Sequence, residues 1–345
     1  MKDDNNTISR RTVMLGGAAA AFTGLLPTPS HAAGSLAATT YPGPWEQAWR
    51  SIVAPGVKQA HGIDVELYPL LSADQIAKAR ASRNEAAFDV FTLDPGPRGN
   101  AIDLNLFEPF DRSKLKNAGK LPAALVDAHG VAVAGQLVGI AYNPKRLDRP
   151  RRWTDLFEPK FASRLGLTGF QTTFGAAALI EIAKAYGGSE SNIDPALEQI
   201  KKILPTVAAV AQPLALTGLF QQGQIDVMYT NTQFVEGLKA QGVDIEFVVP
   251  ESGAIAFFTT MHLARHTKAK DAAYAYLDTL LDAPVQAALS KRPYNFIPVN
   301  LDVPFGSDLP VKSFADMKQF VVHDWQKINA VRPQWIDRFN REVVK

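Results

Sequence analysis

The sequence predicts an α/β fold made of two lobes with a cleft between them. Apolar runs of strand length alternate with helical patterns along most of the chain, which is typical of open, mostly parallel sheets with helices on both faces. The alternation occurs in two series, and the polar, proline-bearing stretch "NPKRLDRPRRW" at residues 143–153 separates them. We therefore expect two α/β units that are joined by extended crossings.

The first unit contains three predicted strands and two predicted helices. The first helix ends at His61-Gly62, and Ser72 is a suitable N-cap for the second. The strands are Leu36–Tyr41, Ile63–Leu67 and Phe88–Leu93, and the helices are Trp45–Gln59 and Ser72–Ser82. A long extended pair around Gly135-Gln136 is then predicted over Val131–Tyr142.

The second unit begins with a predicted helix at "WTDLFEP", capped by Thr154, and continues with alternating strands and helices. The predicted strands are Leu165–Thr168, Val207–Ala211, Ile225–Tyr229, Ile245–Val249 and Ala254–Leu263. A helix is predicted from about Phe174 to Gly187. The later predicted helices are Pro195–Leu204, Leu214–Gln222, Phe234–Gln241, Lys270–Leu281, Pro284–Leu289 and much of Val311–Val344.

The composition excludes several classes of protein. The chain has 36 Lys and Arg residues against 34 Asp and Glu, so it lacks the basic excess of nucleic-acid-binding proteins. The absence of cysteine excludes zinc–thiolate sites, iron–sulfur clusters and cysteine nucleophiles. His262 and His266 have helical spacing, but their segment reads as a strand that runs into a loop, so we assign them structural roles. We expect no metal and no cofactor.

Residues 1–32 have the parts of an export signal. Ser9-Arg10-Arg11 precedes an apolar run, Val13–Leu26, that is too short to span a bilayer as a helix. Cleavage is predicted near Ala32, which places the mature protein in the periplasm. The adjacent arginines favour the twin-arginine export route, and an ordinary secretory signal is the alternative.

Unusual turns follow several predicted strands, at the strand ends where open α/β sheets bind ligands. One of them, "TTYPGPWE", places hydroxyls, aromatic rings and a carboxylate around a stiff Pro-Gly-Pro turn. The candidate ligand-binding residues at these turns are Thr39, Thr40, Tyr41, Trp45, Glu46, Asp94, Arg98, Gln171, Thr172, Thr173, Phe174, Tyr229, Asn231, Phe257 and Thr259. No catalytic residue is predicted.

Two of these turns offer partners for an anion. Gln171, Thr172 and Thr173 precede an alanine-rich helix, whose free N–H groups and positive end suit a carboxylate or phosphate. The alternative is a simple N-cap, with Thr173 bonding inward. Arg98 could form a bidentate pair with an anion or remain a solvated loop residue.

Other candidates suit an ammonium group or an apolar body. Glu46 and Asp94 could hold an ammonium, although a carboxylate is also favoured in a first helical turn and before a proline. Tyr41 and Trp45 could form aromatic walls or belong to the core, and the same holds for Tyr229 and Phe257. Both signs of charge together with hydroxyls indicate a small zwitterion or organic acid as the solute.

Several stretches resemble the periplasmic solute-binding proteins of ABC importers, in the extracellular solute-binding family that includes the spermidine/putrescine-binding proteins. The most specific is "LVGIAYNPKRL" followed by "RRWTDLFEPKFASRLGLTG". "GIDVELYPLLSADQIAKARASR" and "FDVFTLDPG" are similar to further segments of that family. The resemblance implies a monomeric, two-lobed type II binding-protein fold with a hinged cleft, which delivers a small solute to an ABC permease and ATPase complex.

The resemblance also implies lobe boundaries, and it indicates which kinds of solute the protein could bind. We expect lobe 1 at residues 33–140 plus 259–305 and lobe 2 at residues 141–258 plus 306–345. Polyamine-binding members carry an aromatic residue and an Asp where this chain has Phe257 and Thr259, so one acidic contact is missing. A polyamine is therefore the alternative solute, and the single Tyr229 in "VMYTNTQF" speaks against ferric iron.

An exported enzyme and a sensor's ligand-binding domain are the rival classes of function. The sequence has no Gly-x-Gly-x-x-Gly turn, no Gly-x-Ser-x-Gly elbow and no His-Glu-x-x-His motif, so we expect no enzymatic activity. The transport function requires a hinge. The hinge candidates are Ile140–Asn143 and Phe258–Met261.

Overall fold

The computed structural model describes residues 34–344, so the predicted export signal lies outside the described residues. The strands are β1 (Ser35–Thr40), β2 (Asp64–Pro69), β3 (Val90–Leu93), β4 (Val126–Asp127), β5 (Gly130–Tyr142), β6 (Leu165–Leu167), β7 (Ala209–Val210), β8 (Val227–Asn231), β9 (Glu246–Val248) and β10 (Ile255–Leu263). The helices are α1 (Pro44–Ala48), α2 (Ala54–His61), α3 (Ser72–Ala81), α4 (Pro95–Asp103), α5 (Pro159–Ala162), α6 (Thr173–Ala185), α7 (Asp194–Ile203), α8 (Pro213–Gln221), α9 (Thr232–Ala240), α10 (Lys270–Leu281), α11 (Ala283–Leu289) and α12 (Trp325–Phe339).

One mixed sheet runs through the whole molecule, in the order β2-β1-β3-β10-β5-β8-β6-β7. Both ends of the sheet are parallel, as predicted: β1 pairs with β2 and β3, and β6 pairs with β7 and β8. The centre is not parallel, because β10 runs antiparallel to β3 and β5, and β5 runs antiparallel to β8. The prediction of a mostly parallel sheet is therefore wrong at the centre.

Strand β5 is one continuous strand of 13 residues, so the predicted extended pair around Gly135-Gln136 is wrong. These two residues stay in the ladder, where they face Phe258 and Phe257 of β10. The first part of β5 pairs with β10 and the last part pairs with β8 and β9, with Val138 in contact with both sides. A single strand thus crosses from one half of the sheet to the other.

Two large apolar cores lie on either side of this crossing. The first is built from residues 36–134 and 261–299, and the second from residues 138–257 and 328–343. The chain therefore leaves the first core at β5, returns to it at β10, and passes back near the start of α12. Within the described residues, no helix is long and apolar enough to span a membrane.

Two predicted elements differ from the structure. The segment after the polar crossing is a 3₁₀ helix, Trp153–Phe157, whose N-cap residue is Arg152 and not Thr154. The Asp155 carboxylate accepts the backbone N–H groups of Arg151 and Arg152 there, so an acid inside the turn does the capping. The predicted helix at the C-terminus begins only at Trp325, where Asp324 accepts the N–H of Lys327.

Gly139 in β5 marks a close approach between strands. A Cβ at this position would lie 2.4 Å from the backbone oxygen of Val248 in β9 and 2.7 Å from the Phe247 ring. Because a backbone oxygen cannot rotate away, any side chain at Gly139 must displace β9. The glycine therefore fixes the spacing of the strands where β5 enters the second half of the sheet.

We expect Gly139→Ala to lower the free energy of unfolding by about 1–3 kcal/mol, the usual cost of overpacking. Gly218→Ala is the matched control, because a Cβ at Gly218 in α8 meets no atom within 4 Å. That replacement should stabilise the protein by about 0.5–1 kcal/mol through helix propensity. Urea unfolding of the two variants measures both effects, and equal midpoints would show that β9 adapts without cost.

Candidate functional site

A cavity of about 530 Å³ lies between the two cores, a volume that suits a small-molecule ligand. Residues from the first half of the chain form one wall and residues from the second half form the other. The lining residues are Tyr41, Pro42, Trp45, Leu71, Ser72, Ala73, Asp74, Asp94, Pro97, Gln136, Gln171, Thr172, Thr173, Phe174, Gln212, Pro213, Leu214, Asn231 and Phe234.

Five helices begin at this cavity. Their N-cap residues Leu71, Asp94, Thr172, Gln212 and Asn231 belong to α3, α4, α6, α8 and α9, and all five border the cavity. The first N–H groups of a helix have no partner inside that helix, and each N-terminus carries a partial positive charge. Since no Lys or Arg is among the described lining residues, the positive potential comes from the backbone.

A directed chain of hydrogen bonds runs from α9 to the Asp94 carboxyl. The backbone N–H of Phe234 donates to Asn231 Oδ1 at 3.0 Å, and Asn231 Nδ2 donates to Gln136 Oε1 at 2.7 Å. Gln136 Nε2 donates to Thr259 Oγ1 at 2.7 Å, and Thr259 Oγ1 donates to Asp94 Oδ1 at 2.6 Å. The chain links both walls of the cavity through β5 and β10, and every donor points towards Asp94.

Burial raises the pKa of the Asp94 carboxyl from 3.8 to about 6. The hydrogen bonds from Thr259 and Tyr41 and the nearby Arg332 guanidinium act in the opposite direction and lower this pKa. The Tyr41 hydroxyl also accepts the backbone N–H of Asp94 at 2.8 Å. The charge of Asp94 therefore changes in the range between mildly acidic and neutral pH.

Arg332 of α12 is a site residue that the sequence did not reveal. Its Nε and Nη2 groups donate to the backbone oxygens of Phe170 and Gln171 at 3.0 and 2.7 Å. Burial lowers its pKa to about 10, and the Asp94 charge acts against this shift. A guanidinium that stays charged at neutral pH thus holds the loop that leads into α6.

Gln136 is the second residue that the sequence analysis missed. It is the only strongly polar side chain in the buried run "GVAVAGQLVGIAY", and this contrast could have marked it. Arg332 gave no comparable signal, because it lies among other polar residues of an amphipathic helix about 160 positions after its partners.

The structure brings eight of the predicted ligand residues together at the cavity. They are Tyr41, Trp45, Asp94, Gln171, Thr172, Thr173, Phe174 and Asn231. The other seven do not line it. They are Thr39, Thr40, Glu46, Arg98, Tyr229, Phe257 and Thr259.

Three of these seven residues have interior roles. Thr39 Oγ1 donates to Gln75 Oε1 at 2.7 Å, and Thr40 is fully buried in β1. The Tyr229 hydroxyl accepts the backbone N–H of Thr168 at 3.0 Å inside the second core. Thr39 and Thr40 are neighbours in β1 and point to opposite faces of the sheet, so both faces of the sheet are covered at this place.

The other four predicted ligand residues bond to or pack against protein groups and do not face the cavity. Glu46 pairs with Arg50 at 2.8 Å and Arg98 pairs with Asp127 at 2.5 Å. Phe257 is buried in the second core, and Thr259 reaches the site only through its bond to Asp94.

The Pro42-Gly43-Pro44 turn lies where the two walls meet. Gly43 has φ 85°, a conformation that favours glycine. A Cβ on Gly43 would lie 3.5 Å from the Phe234 ring and 3.6 Å from Leu214 Cδ1. The stiff turn therefore packs against the start of α8 and α9 and closes one side of the cavity.

No group of three or more His, Asp or Glu side chains within residues 34–344 is arranged to hold a metal ion. His262 is buried, bonds to the backbone oxygen of His129 at 2.9 Å and stacks on Phe107. Burial lowers its pKa to about 3, so it remains neutral. This is the structural role that the sequence predicts for it.

Comparison with known protein families matches residues 86–331 to a family described as bacterial extracellular solute-binding protein. A curated relative is the putrescine-binding periplasmic protein PotF of Escherichia coli strain K12. It is 22% identical over 277 residues, which cover 70% of this chain and 74% of the relative.

Solved structures share the fold over nearly the whole chain. The PBP AgtB from A. tumefaciens R10, in complex with agropinic acid, superimposes with a TM-score of 0.76 at 18% identity, covering 91% of this chain and 100% of that one. The periplasmic binding protein AfuA from Actinobacillus pleuropneumoniae, with fructose-6-phosphate bound, gives 0.74 at 18% identity, with 91% and 99% covered. The predicted two-lobed α/β fold is thus confirmed.

The raised pKa of Asp94 predicts a pH-dependent stability. The folded protein keeps the Asp94 proton up to about pH 6, whereas an unfolded chain releases it near 3.8. The stabilisation is therefore present at low pH and is lost as the pH rises through 6. From about pH 4.5 to 7.5, the wild type should lose about 2 kcal/mol of unfolding free energy relative to Asp94→Asn.

Urea unfolding of both proteins at the two pH values measures this difference. Asp103→Asn is the matched control, because Asp103 is an exposed carboxyl and should leave the pH profile unchanged. Parallel profiles for the wild type and Asp94→Asn would contradict a raised pKa at Asp94.

Proposed function

This chain belongs to the family of bacterial extracellular solute-binding proteins, and we propose that it captures a small carboxylate-bearing solute for an ABC importer. The solute is an amino-acid-like zwitterion or a small organic acid. It occupies the cavity between the lobes, and the protein delivers it to a permease and ATPase complex in the inner membrane. The protein acts in the periplasm as a monomer, after cleavage of its export signal near Ala32, and it catalyses no reaction.

One observation carries the choice of a carboxylate: five helix N-caps border the cavity and no basic side chain does, among the described residues. Helix N-termini attract a carboxylate through their dipoles and their free N–H groups. Pro95, Pro97 and Pro213 offer no N–H, and the N–H groups of Gly175 and Phe234 are already bonded to cap side chains.

Asp74 and Asp94 supply the carboxyls of the lining, and burial raises the pKa of Asp94 to about 6. At neutral pH Asp94 can accept the ammonium of a zwitterion, and at acidic pH it becomes neutral and tolerates a simple acid.

Capture requires that solute contacts from both lobes favour a closed state. Strands β5 and β10 are the extended connections, and the register of β10 shifts between Thr259 and Thr260. This shift supports a hinge at Phe258–Met261, and Ile140–Asn143 at the end of β5 is the other hinge candidate. The lobes are residues 33–140 plus 259–305 and residues 141–258 plus 306–345.

A polyamine is the second candidate solute. Relatives of this chain include proteins named as putrescine-binding, and Asp74, Asp94, Tyr41 and Trp45 border the cavity. Aromatic faces and carboxylates are suitable partners for an ammonium. Against it, a polyamine would meet five positive helix termini, and Thr259 stands where polyamine-binding members carry an acid.

Three probes with four-carbon chains separate these candidates. Succinate, γ-aminobutyrate and putrescine differ only in whether their ends are carboxylates or ammonium groups. We expect succinate or γ-aminobutyrate to bind at least about tenfold more tightly than putrescine, since charge-assisted bonds contribute about 1.5–3 kcal/mol each. Isothermal titration calorimetry, supported by thermal shift at millimolar probe, gives the order.

The pH dependence of binding independently tests which charged group of the solute lies near Asp94. A ligand carboxylate near Asp94 should bind more tightly at about pH 5 than at 7.5, because protonation removes the like charge. A ligand whose ammonium group contacts Asp94 should bind more weakly at about pH 5 than at 7.5. The Asp94→Asn replacement should abolish the pH dependence in both cases. Tight binding of putrescine alone, strengthened at high pH, would favour the polyamine alternative.

A further inference from the structure

Two exposed leucines face the cavity from opposite lobes. Four large apolar side chains are exposed within residues 34–344, namely Leu71, Leu214, Leu301 and Val322. Leu71 precedes α3 and Leu214 lies in the first turn of α8, and both line the cavity. Leu214 is 50% exposed. Exposed apolar side chains that meet in a cleft mark a surface that a ligand covers.

Aromatic and proline side chains extend this apolar surface along both walls. Tyr41 and Trp45 lie on the first wall, and Phe174 and Phe234 lie on the second. The Trp45 ring is fixed by the Phe296 ring, with the ring centres 4.6 Å apart. A rigid ring loses little conformational entropy when a ligand packs on it, so this wall is prepared for an apolar partner.

Thr173 provides a polar anchor beside these walls. It is the first residue of the 13-residue helix α6 and is only 2% exposed. Thr173 lines the cavity, and its Oγ1 is buried without a hydrogen-bond partner among the described residues. A buried hydroxyl without a partner is costly, and the neighbouring N–H groups of Thr173 and Phe174 lack partners inside the helix. An anionic group at the start of α6 would accept from these N–H groups.

Arg332 adds a positive charge behind the same anchor. A Cβ on Gly96 of α4 would lie 2.9 Å from Thr173 Oγ1 and 3.1 Å from Arg332 Nη1. The hydroxyl and the guanidinium therefore both approach Gly96, at the N-terminus of a second helix. Two helix ends and the buried Arg332 cation contribute positive potential at Thr173, whereas the ionised Asp94 carboxylate near Arg332 opposes it. Arg332 itself is not part of the lining.

We propose that the solute is an amphipathic organic acid, with its carboxylate at Thr173 and an apolar ring or branched chain between the two leucines. This inference rests on the proposed function, because it specifies which carboxylate-bearing solute the cavity selects. The apolar body covers Leu71 and Leu214 and packs between Tyr41 and Phe234. Sugars and short polar acids do not cover this apolar surface, so the surface contributes nothing to their affinity.

The test compares carboxylates that have an apolar body with carboxylates that lack one. Phenylacetate is compared with succinate as an acid, and L-phenylalanine with γ-aminobutyrate as a zwitterion, by isothermal titration calorimetry. The variants are Leu214→Ser for the apolar wall and Thr173→Val for the anchor. Leu301→Ser is the matched control, because Leu301 is 55% exposed and lies outside the cavity lining.

We expect an apolar-bodied probe to bind at least about tenfold more tightly than its polar counterpart, the usual effect of apolar contacts in a pocket. Leu214→Ser should weaken only the apolar-bodied probes by about tenfold, whereas Leu301→Ser should change none. Thr173→Val should weaken every carboxylate that binds, whatever its body.

Two failures can be told apart. If succinate or γ-aminobutyrate binds as tightly as its apolar counterpart, or if Leu214→Ser has no effect, the amphipathic solute is refuted while carboxylate capture stands. Failure of both apolar probes to bind, while either polar acid binds, has the same meaning. If carboxylates bind and Thr173→Val has no effect, the anchor at Thr173 is refuted while carboxylate capture stands. If no carboxylate binds, both this inference and the proposed function are refuted.

Discussion

The polar floor of the cavity depends on one constraint: a buried carboxyl must keep its hydrogen bonds. Asp94 is the N-cap residue of α4, and its carboxyl accepts the Thr259 hydroxyl at 2.6 Å. Gln136 connects this pair to Asn231 at the start of α9. Each group in this series of hydrogen bonds donates in one fixed direction. If one of these side chains reversed its orientation, a buried donor or acceptor would be left unpaired. These hydrogen bonds therefore fix where α9 begins and how the two walls of the cavity lie relative to each other.

The same arrangement divides the work between backbone and side chains. Five helix termini supply positive potential, and no lysine or arginine lines the cavity within the part of the chain that the structure describes. The nearby Arg332 guanidinium is buried against carbonyl oxygens. Such preorganised dipoles need no reordering when an anion arrives. The side chains that remain at the surface of the cavity are largely apolar, so charge and shape are recognised by different parts of the protein.

Local patterns in the sequence were sufficient for the parallel ends of the sheet and for eight cavity residues, because strand ends and helix N-caps carry local signals. Thr172, for example, accepts the N–H of Gly175 as a Ser or Thr cap is expected to do. The antiparallel centre was missed because nothing in β5 or β10 alone shows which strand it pairs with. Tyr229 and Phe257 were placed at the cavity because a strand pattern gives alternation but not which face is inside. Arg332 depends on a contact between distant parts of the chain, which no local pattern contains.

A crystal structure of the protein purified without denaturation and saturated with phenylacetate tests the central claim most directly. The account predicts that the carboxylate oxygens lie about 2.7–3.2 Å from donors at Thr173 and Phe174, with the ring between Leu71 and Leu214. A carboxylate that points to solvent, or a ligand bound outside the space between the lobes, would contradict it.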